Sequence, residues 1–396
     1  MRSAAPLEGA RAWTTVGAAF VSMFVVFGVG YSFGAFFAPM AQEFSAGSGA
    51  TSFFFSLTSA TWFLLGAGSG WAVDRVGPRP VLLVGAAALA AGLLLTARVD
   101  SLQLGYLTYG LGVGIGVACG YVPMVAVVGG WFERRRAVAL GVAVTGIGLG
   151  TLTVAPLAAV LIDRVGWRRT FELLGVVGAA LLVLCALVAS PPPVRAEAGA
   201  PPRLGDVVRS RPFRTVYGSA LLTSSALFLP FVFLPASAES AGTGRVAAAA
   251  LVGLIGLASV VGRLAVGAAA ARLGVLRSYR ACTATMGASF ALWLTAGAVG
   301  PAYPVLVAFT VVLGVGYGGW VALGPAVVAE LFGVRGLGAL VGLTYTAAAV
   351  GSLAGPPIAG WVVDATGTYR WAVAGALVLG AGATLALRRL PRPVPH

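Results

Sequence analysis

Long apolar runs, separated by charged residues or prolines, recur along the whole 396-residue chain. A hydrocarbon core of about 30 Å requires roughly 20 residues per helix, and these runs reach that length. Strands of a membrane barrel would instead show segments of about 10 residues with alternating polarity, which this sequence lacks. The pattern predicts an all-α membrane protein with twelve transmembrane helices, near residues 13–40, 50–73, 80–97, 104–132, 137–162, 171–190, 213–236, 247–271, 278–299, 304–331, 337–363 and 371–388.

The composition excludes a soluble protein. Hydrophobic residues make up 59% of the chain and charged residues 10%, with a mean hydropathy of +0.94, whereas soluble domains carry about 25% charge. Cys119, Cys185 and Cys282 lie far apart in apolar segments, and His396 is the single histidine. We therefore expect no disulfide, metal site, cofactor or imidazole catalysis, and hence no enzyme.

The formal net charge of +14 comes entirely from arginine, which supplies all 26 basic residues. With both termini placed in the cytoplasm, 19 arginines fall on the cytoplasmic side, 6 on the outer side, and Arg263 within a helix. This bias follows the positive-inside rule and predicts a multi-pass protein of the plasma (cytoplasmic) membrane. Attraction to lipid headgroups explains the remaining excess, so we expect no nucleic-acid partner. The first apolar run is too long for a signal peptide and predicts a retained helix.

An internal repeat relates the two parts of the chain. It predicts an N-terminal six-helix half at 1–190, a cytoplasmic linker at 191–212 and a C-terminal six-helix half at 213–396. Parallel repeats of this kind form a midplane site that opens alternately to each side; an old duplication that serves only packing is the alternative. The matching residues are Pro39 and Glu43 with Pro235 and Glu239, Leu111–Gly114 and Pro123 with Leu313–Gly316 and Pro325, and Gly141, Gly150, Pro156, Asp163 and Gly166 with Gly342, Gly351, Pro357, Asp364 and Gly367.

The loop after the second helix contains Gly70, Asp74, Arg75, Gly77 and Arg79. This spacing resembles the signature between helices 2 and 3 of the major facilitator superfamily. Glycine permits close helix approach, and a carboxylate at a helix end can hold arginines or a helix N-terminus in one of two states. The resemblance implies that these five residues form a conformational latch; a simple charged turn is the alternative. The second half carries a decayed copy at Gly267, Arg272 and Gly274, with Ala271 in place of the aspartate.

Four further segments narrow the resemblance. Residues 31–37, 131–136, 166–168 and 355–357 are similar to the monocarboxylate transporter and oxalate/formate antiporter branch of that superfamily. Membership of this branch implies a secondary active transporter of small organic anions that works by alternating access.

Arg263 is a charge in the middle of the predicted eighth helix. Placing a guanidinium there costs roughly 2.5 kcal/mol or more, so the side chain should face a cavity and a partner. Its fixed fork of donors matches a carboxylate, and the resemblance implies a substrate-binding arginine at this place. An arginine that bonds backbone carbonyls, or extends to the cytoplasmic end, is the structural alternative.

The sequence differs from those of this branch at two places, which affect the predicted substrate and the coupling of transport to protons. Monocarboxylate carriers commonly place an acid four residues before this arginine, where this chain has Ser259. Oxalate exchangers carry a second cation in helix 11, but nothing basic lies between Arg335 and Arg370. A single cation best neutralises a single carboxylate, which favours a lactate- or pyruvate-like monocarboxylate over a dicarboxylate. Proton symport, uniport and exchange all stay open.

Aromatic residues on the cavity-lining helices complete the predicted site. Rings with a polar tip can enclose an apolar tail and donate a hydrogen bond to a carboxylate. Packing against lipid or other helices is the alternative for each of them. With Ser259, the predicted substrate-binding residues are Tyr31, Tyr121, Tyr317, Trp320 and Tyr345 beside Arg263.

Other functions fit the sequence less well. An anion channel does not require two rocking halves, and a membrane enzyme would need titratable or metal-binding groups within the spans. A non-transporting receptor on the same scaffold stays open. Among transporters, the alternatives are an oxalate/formate-type exchanger and an exporter of another small molecule. We expect the protein to be a monomer.

Overall fold

A computed structural model describes residues 8–192, 204–297, 301–333 and 337–390, and the described chain is almost entirely helical. A short π-helical stretch, Tyr106–Leu111, joins α5 to α6. The α-helices are α1 Ala10–Tyr31, α2 Phe33–Glu43, α3 Ser48–Val76, α4 Pro78–Thr96, α5 Leu102–Gly105, α6 Gly112–Gly120, α7 Val122–Trp131, α8 Arg136–Val188, α9 Leu204–Arg209, α10 Arg211–Leu227, α11 Leu229–Ser240, α12 Arg245–Leu273, α13 Val275–Thr295, α14 Ala302–Phe332, α15 Leu337–Thr366 and α16 Tyr369–Arg388.

The described residues contain ten helical segments that are long and apolar enough to cross a membrane. The structure thus confirms the predicted helical fold, and these segments have the length and composition of membrane spans, while the number twelve stays a prediction. One of the ten lies in the 53-residue α8, where Gly166 has φ 80° and ψ 163° and interrupts the helical backbone. The sequence predicts a loop at 163–170, but the chain turns at this single glycine instead. Helix α13, which corresponds to the predicted ninth span, is outside the ten.

Several predicted single spans are broken into two helices. The breaks at Tyr121 and Phe228 each lie two residues before a proline, Pro123 and Pro230 respectively. Proline lacks the backbone N–H, and its ring clashes with the carbonyl four residues earlier, so the preceding helix ends. A further break at Ser32 separates α1 from α2.

The described chain forms two compact units. The first contains the residues up to Ala46 and those from Phe53 to 192; the second contains the short segment Gly47–Ser52 and everything from 204 onward. Most of α3 therefore belongs to the first unit, while its first turn packs within the second. Residues 193–203 of the predicted linker, 191–212, lie outside the described ranges; in its described part the structure shows α9 and the start of α10.

Equivalent pairs of helices are in very close contact in the two units. In the first unit, a Cβ atom on Gly150 of α8 would collide with the backbone carbonyl of Phe24 in α1. In the second, a Cβ atom on Gly351 of α15 would lie 2.6 Å from the carbonyl oxygen of Leu221 in α10. Gly150 and Gly351 are partners in the sequence repeat, so equivalent residues make equivalent contacts. This observation supports the internal repeat.

The sharp turns also occur at repeat positions. Gly77 has φ 82° and Gly274 φ 88°, while Gly166 has φ 80° and Gly367 φ 69°. A left-handed backbone of this kind strains any residue that carries a Cβ, which explains glycine at all four positions. The pairs are separated by 197 and 201 residues, the same offsets that relate the sequence motifs.

The first turn of α3 is capped by a residue near the end of α15. The Asp364 carboxylate accepts hydrogen bonds from the backbone N–H of Ser48, at 2.7 Å, and of Gly49, at 3.0 Å. Close approach is possible because Gly49 faces Gly360, where a Cβ atom would lie 2.5 Å from the Gly49 nitrogen. The cap satisfies two backbone donors that the helix itself leaves unpaired.

We expect Asp364→Ala to destabilise the protein by about 0.5–2 kcal/mol, the usual cost of losing an N-cap. Amide exchange measured by mass spectrometry should accelerate at Ser48 and Gly49. Asp100→Ala is the control, because its side chain is 97% exposed. Unchanged exchange in the Asp364 variant would show that the cap does not stabilise α3.

Candidate functional site

Arg263 lies within α12, ten residues before the helix ends at Leu273. At about 1.5 Å per residue this distance corresponds to about 15 Å, half the thickness of a hydrocarbon core. The side chain is half-buried and its Nε atom is fully buried. The structure therefore holds a guanidinium well inside the helix, about 15 Å from its end, and its role in substrate binding stays a prediction.

Close packing of α12 against α14 sets the position of this arginine. A Cβ atom on Gly262 would collide with the carbonyl of Val315, and one on Gly318 would collide with the carbonyl of Ser259. Only glycine permits this approach, since backbone cannot move aside as a flexible side chain can. Arg263 follows Gly262 directly, so the packing brings it next to α14.

Tyr317 is the predicted site residue that the second unit brings to Arg263. The Cζ atom of Arg263 is 6.0 Å from the centroid of the Tyr317 ring, near the outer limit for a cation–π contact. The Tyr317 ring is only 7% exposed and packs edge-on to Phe231 at 6.2 Å. Because the Tyr317 ring is buried and packs against Phe231, it forms a fixed surface beside the arginine.

Ser259, four residues before Arg263, is fully buried at the contact between α12 and α14. Its hydroxyl donates a hydrogen bond to the carbonyl of Gly256 at 2.7 Å. The donor is thus used within the helix, and only the lone pairs of Oγ are left to interact with other groups. A serine hydroxyl does not titrate in the physiological range, so this position does not supply a proton-carrying carboxylate.

The other two aromatic residues predicted in the second unit lie in different surroundings. Trp320 stacks on Tyr279 with a ring distance of 6.2 Å, and it packs against a buried cluster that includes Val216 and Leu387. Tyr345 is half-buried on α15. The contact between Arg263 and an aromatic site residue that the structure describes is the one with Tyr317.

In the first unit, Tyr31 and Tyr121 join one aromatic cluster. Phe27 is at its centre, 5.4 Å from Tyr31 and 5.1 Å from Tyr121 between ring centroids. Trp62 of α3 also belongs to it, 5.8 Å from Tyr31. The sequence analysis does not single out Trp62, although the repeat offset of 197 aligns it with Ser259 and could have indicated it.

The five predicted latch residues surround the turn between α3 and α4. The guanidinium of Arg75 stacks on the Trp71 ring, with 3.8 Å from its Cζ atom to the ring centroid. Asp74 and Arg79 are exposed. At Gly70 a Cβ atom would lie 3.3 Å from Val122, and Gly77 supplies the left-handed turn. Their role as a latch stays a prediction.

Comparison with known proteins decides the family. A family model described as Major Facilitator Superfamily matches residues 19–298 and, again, residues 216–396. The chain belongs to this superfamily. The resemblance to this superfamily that the loop after the second helix carries is therefore confirmed.

Curated members of the superfamily align over almost the full chain. Monocarboxylate transporter 3 of Rattus norvegicus is 33% identical over 403 residues, which cover 98% of this chain and 81% of the relative. Monocarboxylate transporter 13 of Bos taurus is 31% identical, covering 97% of this chain and 91% of the relative. Monocarboxylate transporter 12-B of Danio rerio is 31% identical, covering 92% and 83%. The chain is thus a multi-pass membrane transporter of the major facilitator type, and not an enzyme.

The sequence of this major facilitator protein does not predict the contacts that Glu8 makes. The Glu8 carboxylate accepts hydrogen bonds from the backbone N–H groups of Glu133 at 3.1 Å, Arg134 at 2.8 Å and Arg135 at 3.2 Å. The Glu8 N–H in turn donates to the carbonyl of Trp131 at 3.2 Å. Glu8 thereby ties the segment before α1 to the turn between α7 and α8.

These backbone donors, that of Arg135 foremost, lower the pKa of Glu8. A carboxylate with a lowered folded-state pKa adds stability above its unfolded pKa, and that stability is lost as the pH falls through the folded value. We expect Glu8→Gln to lower the Tm at pH 7 and to leave it unchanged at acid pH. Melting curves across that pH range would test this. Glu133→Gln is the control in the same turn, and an equal effect there would contradict the assignment.

Proposed function

We propose that this protein carries a small monocarboxylate, lactate- or pyruvate-like, across the plasma (cytoplasmic) membrane by alternating access. The observation that carries the proposal is the guanidinium of Arg263, about 15 Å from the end of α12 and next to the buried ring of Tyr317. The aligned relatives, all named monocarboxylate transporters, support the same substrate class.

In this proposal Arg263 binds the substrate carboxylate. A guanidinium offers two parallel N–H donors that match the two carboxylate oxygens, and it stays charged throughout the cycle. Tyr317 forms a wall for the organic part of the substrate. The other residues that we propose to take part in substrate binding are Tyr31 and Tyr121 of the first unit and Trp320, Tyr345 and Ser259 of the second.

The charge balance favours one carboxylate on the substrate. Between Arg335 and Arg370, where oxalate exchangers of the branch carry a second cation, the sequence has no basic residue. A second anionic group would then be buried without a partner, at a large cost in free energy. An oxalate-type substrate is the alternative that a binding experiment can distinguish.

Binding to purified protein tests the substrate class. Short monocarboxylates should raise the unfolding temperature, because a ligand at 100 times its Kd stabilises the folded state by about 2.7 kcal/mol. Dicarboxylates and neutral sugars should have no effect, and the Arg263→Ala variant should respond to none of them. Stabilisation by dicarboxylates would favour the exchanger, and stabilisation by uncharged compounds alone would favour an exporter.

We further propose that, where transport is coupled to a proton, the substrate carboxylate itself carries that proton. At the position where related carriers have an acidic residue, this chain has Ser259, whose hydroxyl donates a hydrogen bond to the carbonyl of Gly256. In proteoliposomes, an alkaline interior should therefore accelerate lactate uptake. Uptake that is indifferent to the imposed pH gradient would exclude symport and leave uniport or exchange.

The remaining features of the proposal concern topology and the conformational cycle. The arginine distribution supports cytoplasmic termini. Gly70, Asp74, Arg75, Gly77 and Arg79 are proposed to stabilise one conformational state through the turn between α3 and α4. We propose that the protein acts as a monomer, since one chain contains both repeats.

A further inference from the structure

The second unit has a cleft of about 300 Å³ where α10 begins and α16 ends. Its lining consists of Arg211, Pro212, Thr215, Arg389 and Leu390. The volume is at the lower end of the range of about 300–1,000 Å³ that small-molecule pockets occupy. Under the predicted topology, this end of the unit is cytoplasmic.

Two positive charges line the cleft. Arg211 is the first residue of α10 and Arg389 directly follows α16, and both side chains are exposed. Among the described residues neither forms an ion pair, and the first turn of α10 contains no acidic residue. Two guanidinium groups beside one cleft favour an anion with several acceptor oxygens, such as a phosphate.

The back of the cleft is rigid. Leu390 is 4% exposed and packs in the buried cluster with Leu387, and its carbonyl accepts a hydrogen bond from the Arg280 guanidinium at 2.9 Å. On α10, the Ser210 side chain caps the helix through the N–H of Phe213. Both helix ends that carry the arginines are therefore fixed, and the cleft is part of the folded unit.

An apolar stripe leads to the cleft along α16. Val378 and Leu385 are 70% and 56% exposed. Residues separated by seven and by four positions share one helix face, so these two side chains and Arg389 form a single line. Exposed apolar residues followed by a basic residue are typical of a helix face that passes from the hydrocarbon core to the headgroup layer.

We propose that this cleft binds the phosphate headgroup of an anionic phospholipid of the inner leaflet, with Arg211 and Arg389 on the phosphate oxygens. The acyl chains lie against the face that contains Leu385 and Val378. A free phosphate would share the headgroup chemistry but would gain nothing from that apolar face. The site is independent of the transported substrate, so it stands whether or not the protein carries carboxylates.

Lipid binding to the full-length protein tests the proposal. Purified protein is titrated with phosphatidylcholine vesicles that contain or lack phosphatidylglycerol, and bound lipid is measured by native mass spectrometry. Because each arginine near an anionic surface contributes about fivefold in affinity, Arg211→Gln and Arg389→Gln should each weaken phosphatidylglycerol binding about fivefold, and the double variant about 25-fold. Thermal unfolding in detergent should be unchanged, since both side chains are exposed.

Arg388→Gln is the matched control. Arg388 is exposed and adjacent to Arg389, and it carries the same charge, but it does not line the cleft. An equal loss of phosphatidylglycerol binding in this variant would show general surface attraction and overturn the site. Displacement of the lipid by glycerol 3-phosphate at the same concentration would also overturn it, since the ligand would then be a free phosphate.

Discussion

Arg263→Ala is expected to abolish carboxylate uptake while the protein still folds and reaches the membrane. Truncating one partner of a buried, hydrogen-bonded charge pair costs about 2–5 kcal/mol, which corresponds to a loss of about 30-fold or more in kcat/KM. Arg263→Lys should also fail, because an ammonium group cannot make the two parallel hydrogen bonds of the guanidinium fork. Uptake of labelled lactate into proteoliposomes measures both variants.

The matched control for Arg263 is in the same helix. Arg272 lies one residue before the end of α12 and its side chain is exposed. Arg272→Ala should therefore transport nearly as fast as the unmodified protein. Normal uptake by Arg263→Ala would exclude a role in substrate binding and would indicate that the arginine has a structural role only.

The second large effect is expected at Gly318. A methyl group there would collide with the Ser259 carbonyl, so Gly318→Ala must force α12 and α14 apart. Overpacking of this kind typically costs 1–3 kcal/mol. The displacement would also move Arg263 away from Tyr317, so the variant should have a lower Tm and a lower rate of uptake.

Gly324→Ala provides the same substitution on the same helix without the collision. Nothing lies within 4 Å of a Cβ atom at that position, and alanine favours a helix over glycine by about 1 kcal/mol. Its Tm should be unchanged or higher. Equal destabilisation of the two variants would show that the close approach of α12 and α14 is not what makes Gly318 necessary.

Features that depend on local composition could be predicted from the sequence. A lone arginine in an apolar run is costly wherever the run folds, so Arg263 stands out without any structure. The helical, membrane-embedded character follows equally from the length of the apolar runs. The contact between Arg263 and Tyr317 could not be predicted from local composition alone, because it depends on which helices the superfamily places side by side.

Contacts between distant parts of the chain could not be predicted in this way. Asp364 reaches Ser48 across 316 residues, and Glu8 reaches Arg134 across 126. In the sequence each is simply an acidic residue near the end of an apolar run, and only the folded backbone shows which N–H groups it meets. Gly166 is a similar case: a predicted loop becomes one left-handed residue, since nothing in the local pattern gives the length of a turn.

The capping of α3 has a consequence for biosynthesis. Ser48 and Gly49 emerge from the ribosome early, but the carboxylate that accepts their N–H groups belongs to Asp364. At about 5–20 residues per second, those donors wait about 15 to 60 s for their partner. During that interval the first turn of α3 depends on water or headgroups for its hydrogen bonds, so nascent chains stalled before residue 364 should remain sensitive to proteases at this turn.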